Sequence, residues 1–563
     1  MRGIWHVHPQ DPPRAQALAD TLGLHPLTAQ LLLNRGVSDG GDAGRFLGPS
    51  LERLSDPFQL PELDTAVIRL RRAITRQEPM LIFSDSDVDG LTASAILYEV
   101  LRGLGGNVRA RQSNRITEGY GLPATLTASL CRSSIKLLIL VDCGTNQAHD
   151  VRQLAARGID TIIVDHHVPL EDGAKPHALV NPHSGSSDLG REFSSAGLAF
   201  KLAQALFGSR AGEQLDQYLD LAALGTLADC SPLIGDNRTI VAEGLERLVH
   251  SRRPGLARLC ELTGVRQADP AQVLRRLTPK LNASGRLGSA ASVWRLLLQD
   301  VGGDLGVLLA ETERAHETTK QLHRQTMAEA EAQVSRLHFR DQHILVLSRP
   351  GWHQGVMGPL AAQLAQRYGR PAIAIAMGPR QGVGSGRSIP QLNLLDILRA
   401  CQALLVRFGG HAQACGLTMD RKHLEPFREL ANAQAKQSLG LRGLVPSRAV
   451  DLELPLSAIA RRWVEEAERF APFGQGNPKP TVAIRRVTLE VRSPRTAVCS
   501  DGRTQLAAKG SFAGVVSGEQ YDVVATPRLA GEAVALTVSD VRDAAVPSQP
   551  ARLSSTPCRP GSA

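Results

Sequence analysis

Three apolar runs in the first half of the chain each end in acidic or imidazole side chains, and this repetition constrains the fold most. Residues 80–83 (MLIF) lead into SDSDVDG, residues 136–141 (KLLILV) into DCGT, and residues 160–164 (DTIIV) into DHH. Such runs fit buried strands that alternate with helices in a parallel sheet. Because parallel strands share one carboxyl edge, we predict that the three segments converge on one site.

The first of these segments leaves two interpretations open when it is taken alone. Asp85, Asp87 and Asp89 lie within five residues and repel one another, so that divalent cations would relieve the repulsion. A solvated acidic turn is the other interpretation. A calcium EF-hand loop is set aside, because Ile96 stands where that loop needs a glutamate and because the segment follows a strand.

A fourth segment adds another carboxylate. Residues 219–227 are apolar and lead into Ala228-Asp229-Cys230-Ser231-Pro232. An ionised Asp229 among small and apolar neighbours needs a partner, although in isolation it is also a reasonable helix or turn cap.

The candidates from the four segments suit a hard divalent cation. They are Asp85, Asp87, Asp89, Asp142, His166, His167 and Asp229. Carboxylate oxygens with one or two imidazoles favour manganese or magnesium over a dedicated zinc cage, and enough carboxylates are present for two ions. Two such ions form a clamp for in-line displacement at phosphorus. Only one of the adjacent histidines need bind metal, which leaves the other to contact a phosphate oxygen or to orient a carboxylate.

Composition limits the class of protein. A chain of 563 residues exceeds what one hydrophobic core serves, so several domains are expected. The net charge of +9 favours a polyanionic partner, although a mild excess also occurs in proteins that never touch nucleic acid. Aromatic residues, at 4%, are too sparse for an extended base-stacking surface to be the sole binding device. The eight cysteines form no C-x-x-C pair. Their spacing matches no zinc site, and nothing in it suggests a disulfide framework.

The N-terminus and hydropathy indicate a cytoplasmic protein without membrane contact. The opening residues, MRGIWHVHPQ, lack the apolar core of a signal peptide, and no apolar run approaches the length of a membrane span.

Several stretches carry a family resemblance. Asp165-His166-His167 resembles the DHH signature of a phosphoesterase superfamily, and SDSDVDG, VDCGT and GTLADCSPL resemble its other metal motifs. Residues 409–411 (GGH) and 384–388 (GSGRS) resemble the accessory DHHA1 domain. Further stretches are similar to the RecJ family of single-strand-specific exonucleases: SNRITEGYGL, SSAGLAFKL, LNASGRLG, GWHQGVMG and APFGQGNPKP. The resemblance runs from about residue 55 to 545.

The resemblance implies a metal-dependent exonuclease that hydrolyses single-stranded DNA from the 5′ end and releases 5′-mononucleotides, in DNA repair and recombination. It implies Mn²⁺ or Mg²⁺ on Asp87, Asp89, Asp142, His166 and Asp229, with Asp85 and His167 close by, and we predict two ions with Asp85 among their ligands. The implied catalytic residues are Asp142, His166 and His167, and the implied contacts to the 5′ phosphate and DNA are Arg115, Arg286, Ser385, Arg387 and His411. We expect Arg387 in a Gly-Ser loop whose backbone approaches a phosphate closely. Outside the motif context, a surface ion pair would be the ordinary interpretation of each arginine.

The chain departs from the family pattern at a few positions. Phe83 stands where many relatives of the superfamily have a histidine, and His316 and Thr319 stand near where relatives often show Asn and Arg.

The expected fold class is α/β, with two α/β domains joined by a long helix and followed by a small OB-like β-barrel. The expected domains are an N-terminal extension (1–55), a DHH domain (56–300), the connecting helix (301–342), a DHHA1 domain (343–445), the barrel (446–545) and a disordered tail (546–563). The resemblance also raises a helicase and a single-strand-binding protein as partners of a monomer. Two other functions stay open: a DHH phosphodiesterase acting on dinucleotides or short RNA, and an inactive DHH-like scaffold that binds DNA.

Overall fold

The computed structural model describes residues 3–170, 172–185, 190–440, 444 and 447–544, which form two compact units. The larger unit contains the described residues of 49–444 together with 474–476. The smaller unit contains those of 3–48, 447–473 and 477–544. Residues 546–563, which the sequence predicts to be a disordered tail, lie outside the described residues. Within the described part of the chain, every helix is too short or too polar to cross a membrane.

The first elements belong to the smaller unit. They are β1 (Ile4–Val7), α1 (Pro12–Leu22), α2 (Pro26–Asn34) and α3 (Gly40–Leu47). Asp11 and Asp39 accept hydrogen bonds from backbone N–H groups in the first turns of α1 and α3, as N-cap residues do.

The larger unit begins with an α/β domain around a five-stranded parallel sheet in the order β3-β2-β4-β5-β6. Its first elements are α4 (Leu63–Thr75), β2 (Met80–Ser84), α5 (Val88–Gly103), β3 (Val108–Gln112), α6 (Ala124–Leu130), β4 (Leu137–Val141), α7 (Ala148–Ala155), β5 (Asp160–Val164) and β6 (Ala178–Val180). They are followed by helices α8 (Ser195–Phe207), α9 (Ala211–Gln214), α10 (Leu219–Ala228), α11 (Gly235–Val249), α12 (Pro254–Thr263), α13 (Pro270–Gln272), α14 (Thr278–Leu287) and α15 (Ala291–Leu296).

The central strands are buried on both faces, which explains why they appear in the sequence as continuous apolar runs. Ile82, Ile139 and Ile162 point into a core that α5, α8 and α10 complete. Phe83 and Leu140 point to the opposite face, into a second core with α6 and α7. Phe83 is therefore a packing residue here.

A long helix, α16 (Leu305–Val334), connects this domain to a second α/β domain and lies within residues 301–342, where the connecting helix is expected. The elements after it are β7 (Leu345–Pro350), α17 (Met357–Tyr368), β8 (Ala372–Met377), β9 (Gln381–Arg387), α18 (Leu394–Ala400), β10 (Arg407–Gly410), β11 (Ala414–Asp420) and α19 (Leu424–Leu439). Their mixed sheet has the order β10-β11-β9-β8-β7, in which only β7 and β8 pair in parallel. The expectation that GSGRS forms a loop is wrong: Ser385 and Arg387 lie on strand β9.

The smaller unit is built around a closed five-stranded barrel of β14, β15, β16, β18 and β17, because β14 also pairs with β17. Its elements are β12 (Ser447–Val450), β13 (Leu452–Glu453), α20 (Arg461–Glu468), β14 (Val482–Ser493), β15 (Thr496–Ser500), β16 (Gln505–Lys509), β17 (Gln520–Ala530) and β18 (Ala533–Asp543). The N-terminal helices share its core, where Leu31 and Leu32 pack in one cluster with Trp463 and Phe470. The fold class expected from the sequence, two α/β domains joined by a long helix and followed by an OB-like barrel, is confirmed.

Candidate active site

The register of the parallel sheet brings the acidic segments to one edge. Ser84, Val141 and Val164, the last residues of β2, β4 and β5, lie side by side in hydrogen-bonded register. The segments that follow them therefore leave the sheet at the same level. This is the convergence that the sequence predicts.

Glycine at position 90 lets the acidic loop close around the site. Asp87 is the N-cap of α5, and its Oδ1 accepts a hydrogen bond of 3.2 Å from Gly90 N–H. A Cβ on Gly90 would lie 2.7 Å from the carbonyl oxygen of Asp85 and 3.1 Å from Oδ2 of Asp142. The absence of a side chain at this position is therefore what allows the Asp142 carboxylate to approach the loop.

The carboxylate of Asp89 is held by the beginning of helix α8. Its two oxygens accept hydrogen bonds from the backbone N–H groups of Ser195 (2.7 Å) and Ala196 (2.9 Å). Burial, followed by the charge of Asp229, raises the pKa of Asp89 to about 7. A buried carboxylate in this condition needs a nearby positive charge to ionise fully.

Asp142 has a backbone conformation that is uncommon for a residue other than glycine, with φ of +59°. Its Oδ1 accepts a hydrogen bond of 3.0 Å from the Ser195 hydroxyl and lies 3.4 Å from Nε2 of His166. Burial and then the charge of Asp87 raise the pKa of the Asp142 carboxyl well above its usual range. Backbone strain of this kind concentrates at functional sites.

His166 lies between two carboxylates. Its Nδ1 is 3.9 Å from Oδ2 of Asp229, on the opposite side of the ring from Asp142. Burial alone would lower the pKa of His166, but Asp142 and Asp229 outweigh it and raise that pKa well above its ordinary value. The raised pKa favours the positively charged form of the His166 ring, which is attracted to the carboxylates of the acidic cluster.

His167 is oriented by Asp165 and by aromatic neighbours. Nδ1 of His167 lies 2.6 Å from Oδ1 of Asp165, which is buried and also accepts the His166 N–H. The His167 ring stacks on His411 of the second α/β domain, with centroids 5.8 Å apart and an angle of 23° between the rings. The Tyr120 hydroxyl lies 3.2 Å from Nε2 of His167. Asp165 therefore fixes the ring so that Nε2 remains for other partners.

The candidate ligand atoms group tightly enough to share cations. There are three sets in which all the ligand atoms lie within 4.8 Å of one another. The sets are Asp85, Asp87 and Asp142; Asp89, His166 and Asp229; and Asp142, His166 and His167. Asp142 and His166 each belong to two of these sets. Carboxylate oxygens and imidazole nitrogens grouped in this way are a donor set that fits hard divalent cations.

Three arginines from different elements lie near this cluster. Arg115 follows β3, Arg286 lies in the last turn of α14, and Arg387 ends β9. Burial, and then the charges of Arg115 and Arg387, lower the pKa of Arg286 to about 10. Among the described residues the Arg286 guanidinium has no hydrogen-bond partner and no ion pair. Arg387 donates to the Ser385 hydroxyl (3.3 Å) and the Gly386 carbonyl (2.9 Å). Arg286 and Arg387 form no ion pair with any carboxylate that the structure describes, so this cluster predicts an anionic ligand.

Glycine also brings the second domain against this arginine cluster. A Cβ on Gly355 would overlap the carbonyl oxygen of Arg286, and the Gln354 side chain donates a hydrogen bond of 3.1 Å to the carbonyl of Ile116. A Cβ on Gly358 would lie 3.5 Å from Nη2 of Arg387. The segment GWHQGVMG thus supports both Arg286 and the loop that carries Arg115.

The structure brings all the sequence-derived candidates to one region of the larger unit, and it adds three. Ser195 contacts both Asp89 and Asp142, Asp165 orients His167, and Tyr120 contacts His167. Apart from their places inside SSAGLAFKL, DHH and SNRITEGYGL, nothing in the sequence distinguishes these residues. Thr319 of α16 donates a hydrogen bond of 3.4 Å to the carbonyl of Ala283.

Family models match three parts of the chain. The N-terminal domain of the DHH family matches residues 79–226, the DHHA1 domain matches residues 341–437, and the RecJ OB domain matches residues 450–498.

Curated relatives match most of the chain. The single-stranded-DNA-specific exonuclease RecJ of Bacillus subtilis is 33% identical over 491 residues, which cover 86% of this chain and 62% of that protein. The protein of the same name from Thermus thermophilus is 33% identical over 493 residues, which cover 85% of this chain and 69% of the relative. The Escherichia coli protein is 31% identical, with 81% of this chain and 83% of the relative covered. The chain therefore spans less than two thirds of the length of the Bacillus relative.

Solved structures show the same fold. The structure of Thermus thermophilus RecJ in complex with Mn²⁺ matches with a TM-score of 0.83 at 27% identity, covering 96% of this chain and 80% of that one. A structure of exonuclease RecJ bound to manganese matches with a TM-score of 0.59 at 32% identity, covering 68% of this chain and 98% of that one.

Proposed function

This chain belongs to the RecJ family of single-stranded-DNA-specific exonucleases, and from that premise we propose that it removes mononucleotides from the 5′ end of single-stranded DNA. Relatives of known structure bind Mn²⁺ or Mg²⁺. We propose that this chain holds two such ions and acts in DNA repair and recombination.

One observation carries the proposal: an ion pair joins the acidic cluster to the arginine cluster. Nη2 of Arg115 lies 2.8 Å from Oδ2 of Asp87, so the two clusters adjoin. A terminal phosphate bound by the arginines would therefore place the next phosphodiester at the carboxylates. Positioning of this kind sets the polarity of attack, because only a seated 5′ end brings the scissile bond to the cations.

The side chains of this site have separable roles in the proposal. Asp87, Asp89, Asp142, His166 and Asp229 would hold the ions. Bound divalent ions would supply a nucleophile near neutral pH and neutralise charge on the phosphoryl oxygens. Ser195 and the N-terminus of α8 hold the carboxylates of Asp142 and Asp89 in place.

The histidine pair and the arginines act on the substrate. His167, whose Nδ1 is held by Asp165, would present Nε2 to a phosphoryl oxygen and stabilise its charge, next to His411. Arg115, Arg286 and Arg387, with the Ser385 hydroxyl, would bind the 5′ phosphate. Guanidinium groups suit this task, since they grip phosphate oxygens in pairs.

Digestion of end-labelled strands tests the proposal. Wild-type protein with Mn²⁺ should release labelled mononucleotide at once from a 5′-labelled strand, release the 3′ label late, leave a blunt duplex intact and stop with EDTA. Asp142→Asn should reduce cleavage by about 10³-fold or more, since the ion site loses a shared carboxylate. The exposed Asp396→Asn, on α18, serves as a matched control and should cleave normally.

The same assay separates the other functions. Clear preference for a dinucleotide over a long 5′-phosphorylated strand would indicate a phosphodiesterase of small substrates. Binding of single strands without nucleotide release under any metal condition would indicate a scaffold. A monomeric state and association with a helicase and a single-strand-binding protein are further proposals, which sedimentation and binding measurements would test.

A further inference from the structure

Asp85 has a different environment from the other carboxylates of the acidic loop. It is 1% exposed, and its Oδ1 accepts hydrogen bonds from Ser86 N–H (2.7 Å), the Ser113 hydroxyl (2.9 Å) and Nε of Arg115 (2.7 Å). Its Oδ2 pairs with Nη2 of Arg115. Both oxygens of Asp85 are thus engaged by protein donors.

Arg115 is correspondingly held in a fixed orientation. Asp85 accepts hydrogen bonds from Nε–H and from one N–H of Nη2. Oδ2 of Asp87 accepts the other N–H of Nη2, at an N–O distance of 2.8 Å. A guanidinium has five N–H donors, so both N–H groups of Nη1 remain without a partner among the described residues. The side chain of Arg115 is 41% exposed although its carboxylate partner is buried.

The other two arginines of the cluster have no such anchor. Within the described part of the chain, Arg286 and Arg387 form no ion pair with a carboxylate, and Arg387 is held only by the Ser385 hydroxyl and a carbonyl. Arg115 alone is fixed by two parallel hydrogen bonds to one buried acid, the geometry that gives arginine its directional specificity.

We propose that Asp85 is a positioning residue for Arg115 and not a metal ligand: it holds the guanidinium so that Nη1 meets the 5′-terminal phosphate of the DNA. This inference rests on the proposed function, and it replaces the metal-binding role that the acidic sequence of the loop predicts for Asp85. The other proposed ligands are unchanged. The set that contains Asp85 still has the carboxylates of Asp87 and Asp142 when Asp85 is left out.

Two binding measurements on the full chain distinguish the roles. The first is Mn²⁺ affinity, measured by calorimetry without DNA. The second is the ratio of affinities for a 5′-phosphorylated and a 5′-hydroxyl oligonucleotide, measured by fluorescence anisotropy in EDTA. Asp85→Asn should lower this ratio by about tenfold, because it removes a charge-assisted contact to Arg115, and it should leave Mn²⁺ affinity within about twofold of wild type.

Comparison variants make the result specific. Asp87→Asn, at a proposed ligand, should weaken Mn²⁺ binding. Arg115→Gln should lower the preference for the 5′ phosphate at least as much as Asp85→Asn does, leaving the part that Arg286 and Arg387 supply, and adding Asp85→Asn to it should lower the ratio no further. A residue with a merely structural role would weaken binding of both oligonucleotides equally.

The inference is overturned if Asp85→Asn weakens Mn²⁺ binding as Asp87→Asn does, or if the phosphate preference is unchanged. If Asp85→Asn fails to fold, Ser113→Ala decides, because it removes one hydrogen bond to Asp85. It should reduce the preference by a few-fold at normal Mn²⁺ affinity, and any other result counts against the role. Wild-type protein that releases no nucleotide with Mn²⁺ would refute the proposed function instead, which the digestion assay reveals separately.

Discussion

At the scale of single residues, the site depends as much on missing side chains as on charged ones. Gly90 lies where a Cβ would meet the backbone of Asp85, which cannot move aside as a flexible side-chain end can. A Cβ on Gly225 would overlap the side chains of Ala196 and Thr92 and would lie 3.0 Å from Oδ1 of Asp89. The carboxylates of the cluster converge because these glycines let α5, α8 and α10 approach closely.

We expect Gly90→Ala to destabilise the protein by about 1–3 kcal/mol and to weaken Mn²⁺ binding, since the added methyl group pushes against Asp85 and Asp142. Chemical denaturation and calorimetric titration with Mn²⁺ would measure the two effects. Gly103→Ala, at the last residue of the same helix, meets no atom within 4 Å and should be neutral or stabilising by up to about 1 kcal/mol. Equal effects of the two substitutions would contradict this account of position 90.

Residue types alone indicate the acidic cluster but not the hydrogen-bond partners of each of its carboxylates. The convergence of Asp87, Asp142 and His166 follows from the rule that parallel strands share a carboxyl edge, which any sequence with three such strands must obey. The pairing of Asp85 with Arg115 does not follow from it. That contact depends on how the loop after β3 folds back, and no local pattern specifies such a long-range contact.

At the scale of elements, the strands of the first domain could be predicted and β9 could not. Strands β2, β4 and β5 are buried on both faces, and most of their residues are apolar. Strand β9 (QGVGSGR) has three glycines, which favour loops in any propensity argument. They occur in a strand because Ile375, Met377, Leu394 and Leu417 occupy the space that their side chains would fill. Packing therefore overrides local preference at β9.

The N-terminal helices are a second case. The sequence predicts an N-terminal extension but does not show that its helices α1 and α2 share a core with a barrel more than 400 residues later. The acid Glu466 of α20 makes this connection: it accepts hydrogen bonds of 2.7 Å from both His25 N–H and the Thr28 hydroxyl. Both partners lie at the beginning of α2, where backbone donors lack helical acceptors.

We expect Glu466→Gln to destabilise the smaller unit by about 1–2 kcal/mol, because a charged acceptor at the start of α2 is replaced by a neutral one. Burial would raise the pKa of Glu466, but the hydrogen bonds from His25, Thr28 and Arg462 outweigh it and lower that pKa below its ordinary value of 4.5. The stabilisation should thus be complete above pH 4.5 and lost as the pH falls through the lower folded-state value.

Denaturation of the full chain at pH 7 and at pH 3 measures this effect. The difference between wild type and Glu466→Gln should shrink at the lower pH. Glu465→Gln is the matched control on the same helix, since Glu465 forms an exposed pair with Arg461 and should change stability by no more than about 0.5 kcal/mol. A pH-independent difference would show that the carboxylate charge of Glu466 is not what holds α2.

At the scale of the whole molecule, the charge is unevenly placed. The chain carries a net charge of +9, yet one sheet edge gathers a group of buried carboxylates, where burial and then the charge of Asp229 raise the pKa of Asp89 to about 7. Buried carboxylates that lack a compensating charge lower the stability of a fold. A site of this kind, stable only when a ligand compensates it, trades stability for function.

This trade can be measured as metal-dependent stability. We expect Mn²⁺ or Mg²⁺ to raise the melting temperature of the wild-type chain relative to EDTA, with a stabilisation of about 2.7 kcal/mol at a metal concentration one hundred times the dissociation constant.

Asp229→Asn should be at least as stable as wild type in EDTA, because it removes the charge that most strongly repels Asp89 and leaves no backbone donor unpaired. It should also gain much less from metal, since it lacks a ligand of the cluster with His166. The exposed Asp396→Asn should behave as wild type in both conditions. If Asp229→Asn were instead destabilised in EDTA and gained as much from Mn²⁺ as wild type, the carboxylates would be structural, and the fold would not depend on a cation to balance them.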